Sequence, residues 1–128
     1  MSEIQKQQEV DQKNYQFRIR LEQLQEDQLA IRKEQRYIEE QQEEFFQLQQ
    51  QEQAAYDFVL GNCEAEERAF FEERGDESLH LAKKAQREFD EQLLQLKKDE
   101  RTLFDQEENL KAEQQVFWKK PEEKENGA

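Results

Sequence analysis

The residues that could carry chemistry in this chain are few and stand apart. Cys63 is the single cysteine and His80 the single histidine. One cysteine makes no internal disulfide and no zinc cluster. No basic side chain is placed beside Cys63 to lower its thiol pKa. His80 lies in Ser78-Leu79-His80-Leu81 with no second histidine or cysteine at helical spacing, which makes it a helix-flank residue rather than a ligand. Carboxylates are abundant, 32 Asp and Glu, but on long polar helices they are solvated rather than tuned. A catalytic site needs a nucleophile, base or metal gathered in a concave, water-excluding place, and no Gly-rich phosphate loop is present either. The expectation is a protein that is not an enzyme, with no catalytic residues, no metal and no cofactor.

What must be positioned, then, is apolar surface. Val10, Phe17, Leu24, Ile31, Ile38, Phe45 and Val59 recur every seven residues, with only Glu52 interrupting. A repeat this long specifies one continuous helix, because seven residues make two turns and return the column to the same seam. The companion column is Asn14, Leu21, Gln28, Gln35, Gln42, Gln49 and Tyr56, mostly amides. In the second half Ala82, Phe89, Leu96, Leu103, Leu110 and Phe117 form another such column, beside Leu79, Gln86, Leu93, Glu100, Glu107 and Gln114. Each helix thus has one strong stripe and one weak one.

Composition agrees. Only 34% of the 128 residues are hydrophobic, 40% are charged and 22 are glutamine, a profile of long helices rather than of a globular core. The net charge of −13 weighs against nucleic acid or an anionic membrane as partner, since phosphate binding needs clustered Lys and Arg. The start, MSEIQKQQEVDQK, is polar, and no run approaches the ~20 apolar residues that span a bilayer. A cytoplasmic protein without membrane insertion is expected.

The fold class these patterns predict is all-α, a long antiparallel two-helix hairpin of coiled-coil character. Residues 1–7 read as a polar lead-in, the first helix as about 8–60, the turn as 61–63 and the second helix as about 64–118 with a bend at Gly75; together residues 1–120 make one hairpin, and 121–128 read as a disordered tail. Gly61 supplies the left-handed conformation that ends a helix, and Asn62 caps the next. A turn at Gly75 competes, but it leaves unequal arms and buries less apolar surface. Folding about Asn62 sets Gln35 against Phe89, Leu21 against Leu103 and Ile38 against Gln86. Most layers then pair an apolar residue with a polar one. A buried amide without its hydrogen bonds costs about 1–3 kcal/mol, so a hairpin of this kind is expected to be weak alone and to select its partner through the polar seam.

The layout resembles the WXG-type secretion substrates and, more closely, the small helical accessory proteins encoded beside LXG toxins in bacterial type VII secretion. The features are the Gln/Glu-rich first arm, Phe45-Phe46, Tyr56-Asp57-Phe58-Val59-Leu60-Gly61, the acidic Phe70-Phe71 segment, Gly75-Asp76-Glu77 and the heptad second arm, covering most of residues 10–115. Leu60-Gly61 stands where Trp-x-Gly would, and the aromatic-x-x-x-acid export signal has one match, Phe104 to Glu108. The resemblance implies a targeting chaperone or adaptor that binds the helical N-terminal domain of a secreted toxin. A second small helical accessory protein is an implied partner, and co-export with the client an implied route. The partner-binding residues would be the strong columns: Val10, Phe17, Leu24, Ile31, Ile38, Phe45 and Val59, with Phe89, Leu96, Leu103, Leu110 and Phe117. Two other readings fit an antiparallel rod. One is a stalk or escort of type III export, for which −13 is too acidic; the other is a spacer that self-associates as a homodimer.

Overall fold

The computed structural model describes residues 2–126. It is all-α, two long helices packed against each other as an antiparallel hairpin: α1, Glu3–Asn62, and α2, Ala65–Asn126.

Local chemistry accounts for both starts and for the turn. Ser2 and Gln5 form a reciprocal cap: the Gln5 N–H donates to Ser2 Oγ at 3.2 Å and the Ser2 N–H to Gln5 Oε1 at 3.4 Å. This satisfies two backbone donors that a helix start otherwise leaves orphaned. α1 therefore begins at Glu3, five residues before the expected start, and residues 3–7 are its first turns rather than a lead-in. At its other end α1 runs through Gly61, which has no positive φ. The helix closes on side-chain chemistry instead. Asn62 Nδ2 donates back to the Phe58 carbonyl at 2.7 Å, and the Cys63 N–H to the Val59 carbonyl at 2.8 Å. Asn62 thus ends α1 and does not cap α2. That role belongs to Glu64, whose carbonyl accepts from the Glu67 and Arg68 N–H groups at 3.1 and 3.2 Å. Glu66 and Glu67 in the first turn of α2 complement the positive end of its dipole. The turn is Cys63-Glu64, near Gly61 rather than at Gly75.

α2 passes through Gly75 without interruption. Gly75 is buried, and a Cβ there would stand 3.8 Å from Tyr56 Cγ. Its smallness admits the Tyr56 ring and breaks nothing. Past Phe117 the helix continues to Asn126, where a disordered tail was expected; Glu122, Glu123, Lys124 and Glu125 are strong helix formers. Residues 127 and 128 lie outside the described residues. Glutamine helps hold the exposed faces: Gln7, Gln23 and Gln86 each donate to an aspartate four residues on, Asp11, Asp27 and Asp90, at 3.0–3.1 Å. Such pairs contribute about 0.2–0.5 kcal/mol each.

The residues cluster into two compact units, Met1–Arg32 with Lys97–Ala128, and Lys33–Leu96. In the first, Phe17 (4% exposed) meets Phe117 with ring centroids 5.8 Å apart, and Leu110 is buried. In the second, which holds the turn, Phe45 meets Phe89 at 5.9 Å, with Ile38 and Ala82 buried.

These contacts correct the register. Folding about Asn62 would set Tyr56 level with Arg68, yet Tyr56 lies on Gly75, one heptad further along α2. Phe89 meets Phe45, not Gln35. Counted along the same one-heptad slip, Leu21 comes level with Leu110 rather than Leu103, and Ile38 with Leu93 rather than Gln86. A seven-residue slip keeps the same column types facing each other, so the periodic pattern is obeyed in both registers. The ring pairs and the Tyr56–Gly75 fit exist only in the observed one.

Candidate partner-binding surface

The columns expected to meet a partner are the hairpin's own seam. Phe17, Ile38 and Leu110 are buried; Val10, Leu24, Ile31, Phe45, Val59, Phe89, Leu96, Leu103 and Phe117 are half-buried along the line where α1 and α2 meet. The opposite helix covers much of these faces. The surface open to a partner is the set of large apolar residues pointing outward.

The amide column works differently from the expectation of costly buried amides. Asn14, Gln28, Gln35, Gln42 and Gln49 are half-buried rather than buried. Two of them bond across the seam within the first unit. Gln28 Nε2 donates to Glu107 Oε2 at 2.6 Å, and Trp118 Nε1 donates to Asn14 Oδ1 at 2.7 Å. The Gln28 hydrogen bond is the main influence holding the Glu107 carboxyl below the usual carboxylate range, followed by the hydrogen bond from Lys111. Burial pushes the other way and loses. Among the described residues one buried side-chain polar atom lacks a partner, Gln53 Nε2.

Gln53 marks a change in the seam of the second unit. The half-buried positions of α1 step from Phe45 to Gln49 to Gln53, two strides of four in succession, leaving Glu52 exposed. α2 does the same from Ser78 to Ala82 to Gln86, leaving Leu79 (40% exposed) off the seam where it was expected on it. Consecutive four-residue strides are a stutter, which locally unwinds a coiled coil. In the register set by Tyr56 and Gly75 the two stutters lie level, with Gln49 beside Ala82 and Gln53 beside Ser78.

Small side chains there leave both edges of the hairpin grooved. On one edge a groove of about 330 Å³ is lined by Phe45, Leu48, Glu52, Ser78, Leu81 and Ala82. On the other, Phe46 overlooks a groove of about 520 Å³ among Gln42, Gln49, Ala82 and Gln86. The first has Leu48 and Leu81 on its wall, whereas the second is lined mostly by polar side chains, Phe46 being its one large apolar residue. Phe46, Leu48 and Leu81 all stand at least half exposed. Nearer the turn Phe58 and Phe70 are also exposed, with Arg74 over the Phe70 ring at 5.0 Å and Phe71 edge-on to it. The seam period was visible in the sequence. The stutter was signalled only by Glu52 breaking the column, and the grooves by Ala82 and Ser78 being small.

Among the described residues no three His, Cys, Asp or Glu side chains gather as a metal site, and no helix is long and apolar enough to cross a membrane. Cys63 is half-buried at the turn, its Sγ 3.8 Å from the Leu60 carbonyl. Set against protein-family models, curated proteins and solved structures, the chain matches none of them.

Proposed function

We propose that the chain is a non-enzymatic helical adaptor, a hairpin that closes its seam on itself and offers its outer apolar faces to a helical partner. The observation that carries this reading is the imbalance of apolar surface. Among the described residues four hydrophobic side chains are buried, whereas fifteen large ones are exposed. Single exposed apolar residues are ordinary, but in the unit that holds the turn Phe46, Leu48 and Leu81 stand beside the grooves, with Phe58 and Phe70 exposed as well. Aromatic and leucine anchors of this kind bury against a partner helix by the helix-in-groove mode.

The finer reading takes its client from the layout resemblance. The partner is the helical N-terminal domain of an LXG-type toxin, which the hairpin accompanies to a type VII secretion system. Co-expression with such a domain, encoded beside the chain's own gene, is expected to give a stable stoichiometric complex. A neighbourhood without such a gene, or a client that elutes alone, overturns the toxin assignment. The adaptor reading itself is tested by light scattering on the purified chain. A monomer whose melting temperature is independent of concentration is expected. A homodimer with a concentration-dependent melt would overturn the adaptor and make the chain a self-associating spacer.

A further inference from the structure

The groove beside Leu48 and Leu81 has walls and a charge pattern that define an occupant. Its floor is the seam layer where Ala82 and Ser78 are too small to fill the space between the helices. Phe45 closes one side. Leu48 (63% exposed) and Leu81 (57% exposed) flank the mouth. Helical spacing sets Glu44 and Glu52 one turn to either side of Leu48, and Glu77 one turn before Leu81. None of these three carboxylates has a hydrogen bond or an ion pair among the described residues. Arg74, three residues before Glu77, and Lys84, three residues after Leu81, are the nearby cations on the α2 side. The groove is therefore mainly apolar within, with Glu52 on its wall and Glu44 and Glu77 one helical turn from its mouth, so acid outnumbers base around it.

We infer that this groove is the docking site for an amphipathic helix of a basic partner, whose large apolar side chain enters between Leu48 and Leu81 while lysines or arginines one turn away pair with Glu44, Glu52 and Glu77. The inference rests on the adaptor reading and assigns its contact. A second copy of this chain is the poorer occupant. It would bring the same carboxylates to the same edge, and a two-fold contact would set acid against acid.

The test uses the full chain and a fluorescein-labelled peptide of roughly 21 residues, three heptads with Leu at the two apolar positions and Lys beside them. Anisotropy titration is expected to give saturable binding to the unaltered chain. Leu48→Ser with Leu81→Ser leaves the charge unchanged and is expected to weaken binding by at least about tenfold. Glu44→Gln with Glu52→Gln and Glu77→Gln is expected to weaken it by about three- to tenfold and to flatten its salt dependence. Tyr15→Ser with Phe104→Ser removes exposed apolar surface elsewhere and is expected to leave the affinity within about twofold. All seven substituted positions are exposed, outside the seam, and circular dichroism on each variant checks that the hairpin is intact. Undiminished binding to the Leu48→Ser/Leu81→Ser chain, equal weakening by the Tyr15→Ser/Phe104→Ser pair, or no binding at all would overturn the site. Light scattering on the same samples separates the two ideas. A monomer that binds the peptide elsewhere removes the site and keeps the adaptor. A homodimer that the Leu48→Ser/Leu81→Ser change dissociates removes both.

Discussion

Gly75 is a glycine kept in mid-helix by contact rather than by conformation. Its φ is negative and a Cβ would make ordinary contact with Tyr56 at 3.8 Å. Gly75→Ala should therefore stabilise the hairpin by about 0.5–1 kcal/mol, through lower chain entropy in the unfolded state. A thermal melt should move up by roughly 2–5 °C; a fall would mean that Tyr56 needs the open space. Gln53 points the same way for a different reason. Its Nε2 is buried without an acceptor, and Gln53→Leu removes that orphan donor, so the melt should again rise, by about 1 kcal/mol of stability. Glu107 gives a pH signature. Its folded pKa is depressed, chiefly by the Gln28 hydrogen bond. Its contribution is therefore full above the unfolded value of about 4.3 and is lost as pH falls through the lower folded value. Glu107→Gln should lower the melting temperature at pH 7, and the gap to the unaltered chain should close on acidification. A gap that stays constant down to pH ~3 would show that the carboxylate charge is not what Gln28 and Lys111 hold.

The helix ends carry the next scale. Ser2 and Gln5 start α1 with a reciprocal cap, so Ser2→Ala should cost about 0.5–2 kcal/mol locally. The measurement is hydrogen exchange at residues 5–10, which should quicken while the Phe45–Phe89 region stays protected. The Ser-x-x-Gln spacing that makes this cap was legible at residues 2–5, and the polarity of the surrounding residues concealed it. Glycine misled in the opposite direction. Gly61 and Gly75 are the usual marks of an ending, yet both lie inside helices. Asn62 and Glu64, with ordinary backbone conformations, make the turn through hydrogen bonds that spacing alone does not reveal. The two columns, the all-α class and the antiparallel pairing followed directly from the heptads. The register did not, because periodicity fixes which columns face each other only to within a multiple of seven. Ring contacts between Phe45 and Phe89 and between Phe17 and Phe117 decide which multiple. For the candidate surface, Phe46, Leu48, Phe58 and Leu81 fall off the heptad columns, and that spacing turns them outward. Their grooves depend on the level at which Ala82 and Ser78 meet α1, and so on that same register.

At the scale of the molecule the charge of −13 dominates. Self-repulsion opposes any compact state at low ionic strength. The ion pairs Arg18–Glu22, Arg20–Glu113 and Arg68–Glu72 are each more than half exposed at both partners, and exposed pairs contribute about 0–1 kcal/mol. Raising salt from about 20 to 500 mM shortens the Debye length from roughly 20 Å to under 5 Å. The melt should accordingly rise, since screening relieves more repulsion than it removes attraction. A falling melt would mean that the exposed pairs matter more than the net charge. The same salt should weaken association with a basic helix, so stability and binding are expected to respond to ionic strength in opposite directions.

The level stutters have a consequence for alignment. A uniform heptad seam is like a ruler with identical graduations, on which one arm can be displaced by a whole division without any mark disagreeing. The double four-residue strides at Phe45–Gln53 and Ser78–Gln86 are the one irregular graduation on each arm of that unit. They coincide in the observed register and in no register a heptad away. An imperfection in the repeat thus serves as the fiducial mark that tells each helix where along the other it belongs.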